Sequence, residues 1–322
     1  MPDKTEVLVG EGFKVKELRD AYYYYPCNGY DCNPSAKLPK NGYYFDPLER
    51  QLSLDSHILN AKKDYKDDFK IFNDDELKYF ESQANDYFKN TDYGIIGPME
   101  FFPAGDVGLI FGVNLKNPKG IRSLEEWFIS HYTRTEYIKE VFDYACSTAI
   151  KNLQLFKEAV GDKVQVVPIS GCDFGSQNGL LFSPDIYREV YKPFHKKINS
   201  WVHKNTGWKV FFHSCGSIIN LIKDFIDAEV DIINPVQCSA KDMDPAVLKA
   251  KYGKDIVFWG GAVDPGVLQF QRPEIVYNQT IDRIKVFSKD GGFVCGAIHN
   301  IQPNVPIENL IAFLEAVNSF KK

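Results

Sequence analysis

Three observations predict an α/β barrel of the (β/α)8 type for this sequence. From Tyr93 onward, short apolar runs alternate with longer stretches of helical periodicity, the pattern of a parallel sheet covered by helices. Six such runs are visible, and eight would close a barrel. Finally, Asp173, His213 with Cys215, Gln237, Asp264 and His299 follow five successive runs. In a parallel barrel the carboxyl ends of all strands open on one face, where active sites are built.

Taken in order, residues 1–92 precede this rhythm and form an N-terminal segment that packs on or completes the barrel, which itself covers 93–322. The N-terminal segment shows few clear elements. Its Tyr22-Tyr23-Tyr24-Tyr25 run could line a pocket for a flat apolar substrate, although such runs more often serve packing. Cys27 and Cys32 lack a second cysteine pair at zinc-knuckle spacing and read as unpaired thiols.

Within the barrel, the strands are expected at Tyr93 to Ile96, Val164 to Ile169, Lys209 to Phe212, Asp231 to Asn234, Ile256 to Trp259 and Phe293 to Ile298. Helices are expected at Ser123 to Ser130, Thr135 to Val160, Pro184 to Asn205, Ser217 to Ala228, Asp244 to Tyr252, Pro273 to Ser288 and Pro306 to Phe320. Proline or serine at several of their starts supports these boundaries, and Ser217 is a candidate cap. Gly260-Gly261 and Gly291-Gly292 read as tight turns, since neither belongs to a G-x-G-x-x-G fingerprint.

Composition narrows the chemistry. The chain has 322 residues, 44% hydrophobic and 14% aromatic, enough for a large core. Its formal charge of −5 and the lack of a lysine-arginine block argue against nucleic acid or an anionic membrane as partner and favour a small ligand. The first residues show no basic region followed by an apolar core, and no stretch has the apolar length of a membrane span, so a cytoplasmic protein is expected. Seven scattered cysteines fit reduced thiols better than a disulfide framework.

The most informative stretch is Lys209-Val210-Phe211-Phe212-His213-Ser214-Cys215-Gly216. Two residues apart on an extended chain, His213 and Cys215 point to the same side, about 6–7 Å apart, and can reach one ion together. Imidazole nitrogen and thiolate suit zinc, whose catalytic sites keep three protein ligands and one open position. The competing interpretation makes His213 a hydrogen-bonded core histidine and Cys215 a small buried residue; the placement of reactive groups at five strand ends favours the metal. His57, His131, His195 and His203 fall in expected loops or helices and read as surface residues.

Cys172-Asp173-Phe174-Gly175-Ser176-Gln177, Ser183-Pro184, Phe212-His213-Ser214-Cys215-Gly216-Ser217, Ile233-Asn234-Pro235-Val236-Gln237, Phe258-Trp259-Gly260-Gly261 and His299-Asn300-Ile301-Gln302, with Pro306 and Asn309, resemble the uroporphyrinogen decarboxylase superfamily in order and spacing. That resemblance implies a distorted TIM-type barrel. Family members usually carry a longer N-terminal portion that supplies the first strand; the resemblance thus implies either a truncated chain that lacks this strand or its replacement by the first 92 residues.

The superfamily includes cofactor-free decarboxylases of a porphyrinogen and zinc-dependent methyltransferases that work with corrinoid proteins. No Arg-Gln-Ala-Gly-Arg run of the decarboxylases is present, whereas His213 and Cys215 match the His-x-Cys of the methyltransferases. The methyltransferase pattern implies a further cysteine after the eighth strand. Cys295 is taken as that third zinc ligand, with His299, which occupies the usual position, as its rival.

The resemblance therefore implies a zinc methyltransferase moving a methyl group between a small methoxylated or thiol compound and a corrinoid (cobalamin-type) protein, as in O-demethylation. Asp173 would be a polar anchor or proton donor, Gln237 would orient substrate or fill the fourth zinc position, and Asp264 would contact substrate or a group that orients a ligand. The alternatives are a tetrapyrrole decarboxylase acting through Asp173 and a non-catalytic barrel that binds a corrinoid or tetrapyrrole. The sequence leaves homodimer formation open.

Overall fold

The computed structural model describes residues 13–26, 30–55, 58–98 and 101–320, so Cys27 and His57 lie outside the described residues. Contacts divide the chain into two compact units. One is drawn from the described residues of Met1–Ile71 and Ala104–Thr148, the other from Phe72–Pro103 and Ala149–Lys322.

The first unit holds an antiparallel sheet of β1 (Lys14–Glu17), β2 (Ala21–Tyr25), β3 (Ala36–Pro39) and β4 (Asp46–Pro47), in that order. The tyrosine run is β2. Tyr24 stacks on Phe13 with ring centroids 4.6 Å apart and meets Phe45 edge-on, and Tyr25 meets Tyr30, so these rings pack the sheet's own surface. Cys32 is a free thiol whose sulfur donates to the Pro26 carbonyl.

The short helix α1 (Ala61–Asp64) carries the chain to a buried ion pair. Arg122, 1% exposed, grips Asp68 through both Nη atoms at 2.8 and 2.9 Å, donates through Nε to the Lys119 carbonyl and lies over the Tyr65 ring. Planar guanidinium and carboxylate match in this two-point geometry, which offsets the cost of removing both charges from water.

In the second unit, α2 (Asp74–Asn90) opens with a capping box: the Asn73 side chain accepts from the Asp75 and Glu76 amides while Glu76 accepts from the Asn73 amide. Its packing joins residues 72–92, assigned from sequence to the N-terminal segment, to the barrel unit: Phe80 meets Phe156, and Phe72 meets Phe101.

The helices α3 (Leu124–Thr133) and α4 (Thr135–Val160) lead to the parallel sheet, β5 (Val166–Ser170), β6 (Lys209–His213), β7 (Ile232–Asn234), β8 (Val257–Trp259) and β9 (Phe293–Val294), paired in sequence order. Ile96 adds a parallel bridge to Val166 in place of the full strand expected at 93–96. Between the strands run α5 (Pro184–Ile186), α6 (Lys192–Asn205), α7 (Ile219–Asp227), α8 (Pro245–Tyr252), α9 (Pro265–Phe270) and α10 (Pro273–Phe287), and α11 (Ile307–Phe320) closes the chain. Each strand returns to the sheet through a helix, the repeating unit of an α/β barrel wall. Among the described residues no helix is long and apolar enough to cross a membrane.

Alternation along each strand sets the two faces of the wall. Val210 and Phe212 are fully buried toward the helices, where Phe212 meets Phe225 and His195, and Phe258 meets Phe287. Each fully buried phenylalanine of this layer contributes about 1.5–3 kcal/mol of apolar burial. Phe211 and Trp259 lie on the opposite face, edge to face at 5.4 Å.

Three local expectations are corrected. The helix expected to run unbroken over 184–205 is interrupted by a π-turn at Tyr187–Tyr191. Pro193 has no N–H for the carbonyl four residues back and its ring crowds it, and widening the preceding turn relieves this: the Lys192 amide bonds to the Tyr187 carbonyl. Ser217 does not cap α7, whose start has no side-chain cap; its amide donates instead to the Ser176 carbonyl.

His131 and His195 are fully buried, not surface residues. His131 Nδ1 lies 2.7 Å from the Trp127 carbonyl and His195 Nδ1 3.2 Å from the Tyr187 hydroxyl. Burial keeps both rings neutral, lowering their pKa values to about 4 and about 3. His203 pairs with Asp231 at 2.7 Å.

Candidate metal centre

Two neighbouring turns build the site. After β5 the chain runs through Cys172, Asp173, Phe174 and Gly175; after β6 it runs through Ser214, Cys215, Gly216 and Ser217. The turns are bonded to each other: the Phe174 amide donates to Ser214 Oγ at 3.0 Å and the Ser217 amide to the Ser176 carbonyl at 2.8 Å. Gly216 has φ +86°, and a Cβ there would lie 2.3 Å from the Gly175 carbonyl carbon. Glycine is required at this crossing for both its left-handed backbone and its missing side chain.

This crossing presents His213 and Cys215 together, with Cys215 Sγ 3.4 Å from His213 Nε2. His299, from the turn after β9, completes the group: one donor atom each from His213, Cys215 and His299 all lie within 4.8 Å of one another. The His213 and His299 rings meet edge to face at 5.8 Å.

The structure brings His299 to the pair where the sequence favoured Cys295: strand parity turns Cys295 away, while His299 lies beyond the short β9, where that alternation no longer holds. Phe293, Cys295 and Ala297 share one side of their segment and pack against the helix-side cluster of Ala262, Val263, Leu268, Val276, Ala312 and Phe313. The Cys295 thiol is therefore directed into the helix layer, and burial raises its pKa to about 11.

The supporting contacts are specific. His213 Nδ1 lies 2.8 Å from Asn234 Oδ1, and Asn234 Nδ2 donates to the Trp259 carbonyl at 3.2 Å. The Asp173 carboxylate accepts from the Cys215 amide at 2.6 Å and lies 4.0 Å from His213 Nε2, so it stands beside the donor group. The Asn300 amide donates to His299 Nδ1 at 2.8 Å.

Gln237 and Asp264 are otherwise engaged. Gln237 Oε1 accepts from the Gly216 amide at 2.8 Å and its Nε2 donates to Gln177 Oε1 at 3.0 Å, which ties the turn after β7 to the crossing. Asp264 precedes α9 and accepts from Gln279 at 2.8 Å and from Arg283 at 3.2 Å, an ion pair within the helix layer. Asn234 is the residue that sequence reasoning left without a role; its signal was a polar side chain at the tip of an apolar strand, one strand over from His213.

Burial, reinforced by the nearby Asp173 carboxylate, pushes the Cys215 thiol up to about 12. Without a cation, Cys215 stays protonated at neutral pH. In zinc-free protein its alkylation by iodoacetamide, followed peptide by peptide, is expected to be nearly absent at pH 7.5. The rate should rise about tenfold per pH unit toward that pKa, since only the thiolate reacts. Alkylation at pH 7.5 as fast as that of an unhindered free thiol would contradict the assignment.

Comparison with known proteins places these features in context. Residues 117–320 match the family model described as uroporphyrinogen decarboxylase (URO-D). A uroporphyrinogen decarboxylase of Mannheimia succiniciproducens is 24% identical over 198 residues, 59% of this chain and 51% of that protein. One from Coxiella burnetii (strain Dugway 5J108-111) is 36% identical over 66 residues, 20% of this chain and 18% of that protein. The matches thus span about half the length of these curated relatives or less. Among solved structures, a methyltransferase from Methanosarcina mazei superposes with a TM-score of 0.55 at 18% identity, covering 76% of this chain and 64% of that one. This likeness bears on the fold.

Proposed function

The chain belongs to the uroporphyrinogen decarboxylase family, and on that premise we propose that it is a zinc-dependent methyltransferase, moving a methyl group between a small methoxylated or thiol compound and a corrinoid protein. The observation that carries this reading is the convergence of His213, Cys215 and His299 donors within 4.8 Å.

The donor set fits zinc. Two imidazoles and one thiol match its preference for nitrogen and sulfur, and three protein ligands leave the open position of a catalytic site. The 3.4 Å separation of Cys215 Sγ from His213 Nε2 is what two ligands of one tetrahedral ion adopt, about 3.3–3.7 Å for the usual bond lengths. When bound, zinc would supply Lewis acidity, holding a substrate thiol as thiolate or polarising an ether oxygen.

The chain's own residues supply the rest. His213, Cys215 and His299 would hold the ion, and Cys215 would give up its proton in doing so. Asp173, 4.0 Å from His213 Nε2, is placed to take up or return a proton at the donor group and to anchor a polar substrate. Gln237 holds Gly216, and with it the backbone that aims Cys215, rather than offering a donor of its own. The Phe211–Trp259 pair lies on the same side of the wall as His213 and gives that side an apolar surface.

The decarboxylase alternative leaves this convergence without a role, because a cofactor-free reaction at Asp173 needs no His–Cys–His group. Elemental analysis tests the proposal. Protein purified with reduced thiols is expected to carry one zinc per chain and to transfer methyl groups only when zinc and a corrinoid are both supplied. Absence of stoichiometric zinc would sink it.

A further inference from the structure

We propose that Asn234 is a positioning residue that fixes His213 as an Nε2 metal donor, through a hydrogen-bond relay anchored on the Trp259 carbonyl; the inference rests on the zinc reading of the site. The relay crosses three adjacent strands. Trp259 ends β8, Asn234 ends β7 and His213 ends β6, with Asn234 and His213 paired in register.

Its polarity is forced from one end. A backbone carbonyl can only accept, so the Asn234 group 3.2 Å from the Trp259 oxygen must be the amide NH2. The Asn234 carbonyl oxygen must then face His213 Nδ1, at 2.8 Å. An amide oxygen can only accept, so Nδ1 of His213 carries the proton. The lone pair of the neutral ring is thereby left on Nε2, the atom 3.4 Å from Cys215 Sγ. Without the relay, the neutral ring could place its proton on either nitrogen, and the tautomer with the proton on Nε2 cannot bind a metal there.

His299 has the opposite arrangement. Its Nδ1 accepts from the Asn300 amide, so the proton of its neutral ring sits on Nε2, and His299 must bind through Nδ1 or move that proton when metal arrives. Asn234 therefore prepares the His213 half of the site before metal arrives, and its contribution should be separable from that of the ligands.

The test uses full-length protein freed of zinc with thiols reduced. Long-range 1H–15N correlation of the His213 ring is expected to show the proton on Nδ1. In Asn234→Ala the proton should distribute over both nitrogens. Zinc affinity, measured against a competing chelator, should fall about 10–100-fold, the usual effect of losing a ligand's orienting partner. Asn234→Asp, which keeps an acceptor against Nδ1, should recover most of the loss.

An Asn234→Ala protein with the proton still confined to Nδ1 and unchanged zinc affinity overturns the proposal, as does unaltered protein with the proton on Nε2. Should the alanine variant fail to fold, the proton position in the unaltered protein decides alone. If the unaltered chain binds no zinc while Asn234→Ala still moves the His213 proton, the zinc reading fails and the positioning by Asn234 stands.

Discussion

His299→Ala is expected to strip the protein of most of its zinc, while Cys295→Ala leaves zinc retention close to that of the unaltered chain. His299 places a donor atom within 4.8 Å of those of His213 and Cys215, whereas Cys295 packs against Val263, Leu268 and Phe313 in the helix layer. Losing one of three protein ligands should exceed the about 10–100-fold effect of losing an orienting partner. Retention against a competing chelator measures both variants side by side. Zinc loss from Cys295→Ala with retention in His299→Ala would require β9 to present its other face.

The second large effect is one of stability. Asp68→Ala is expected to destabilise the fold by about 3–5 kcal/mol, because it leaves the Arg122 cation buried without its partner. With Arg122 1% exposed, water cannot simply replace the carboxylate. Urea unfolding followed by circular dichroism would show the loss as a lowered midpoint. A shift no larger than that of an exposed ion pair, about 0.2–1 kcal/mol, would mean that the cavity admits water.

Much of the barrel was legible because its signals are local. The run Lys209 to Phe212 has only one register that buries Val210 and Phe212 against the helices, and that register delivers His213 and Cys215 on the opposite side. The prolines at 184, 245, 265 and 273 each stand at the first turn of a helix, where a missing N–H costs nothing.

Other features depend on information that is not local. The 17-residue α2 was hidden because Ala84 is its single buried residue among the described side chains, so little apolar patterning marks it despite the Asn73–Glu76 capping box. His131 and His195 look like ordinary helical surface histidines until the aromatic side chains of Trp127, Phe212 and Tyr187 are seen to close around them.

In the candidate site, the pairing of His213 with Cys215 was readable from strand geometry. The choice between Cys295 and His299 was not, because β9 is short and a segment that leaves the strand within a few residues loses the alternation that would predict direction. Asp264 illustrates the same limit from the other side. A carboxylate at a strand end suggests chemistry, yet the partner that claims it, Arg283, comes from a helix 19 residues further along the chain.

The outward direction of Cys295 also determines how the centre would age under oxidative stress. With a single sulfur in the donor group, peroxide has no second thiol there with which to close a disulfide. The reversible product is a sulfenic acid at Cys215, a modified donor in place of a cross-link. In the metal-free protein even that first step is slow, because burial holds the thiol protonated and the thiolate is the species that reacts. Damage would remove one donor and leave the backbone turns at Gly175 and Gly216 free of any covalent staple, so a thiol reductant alone could restore the centre.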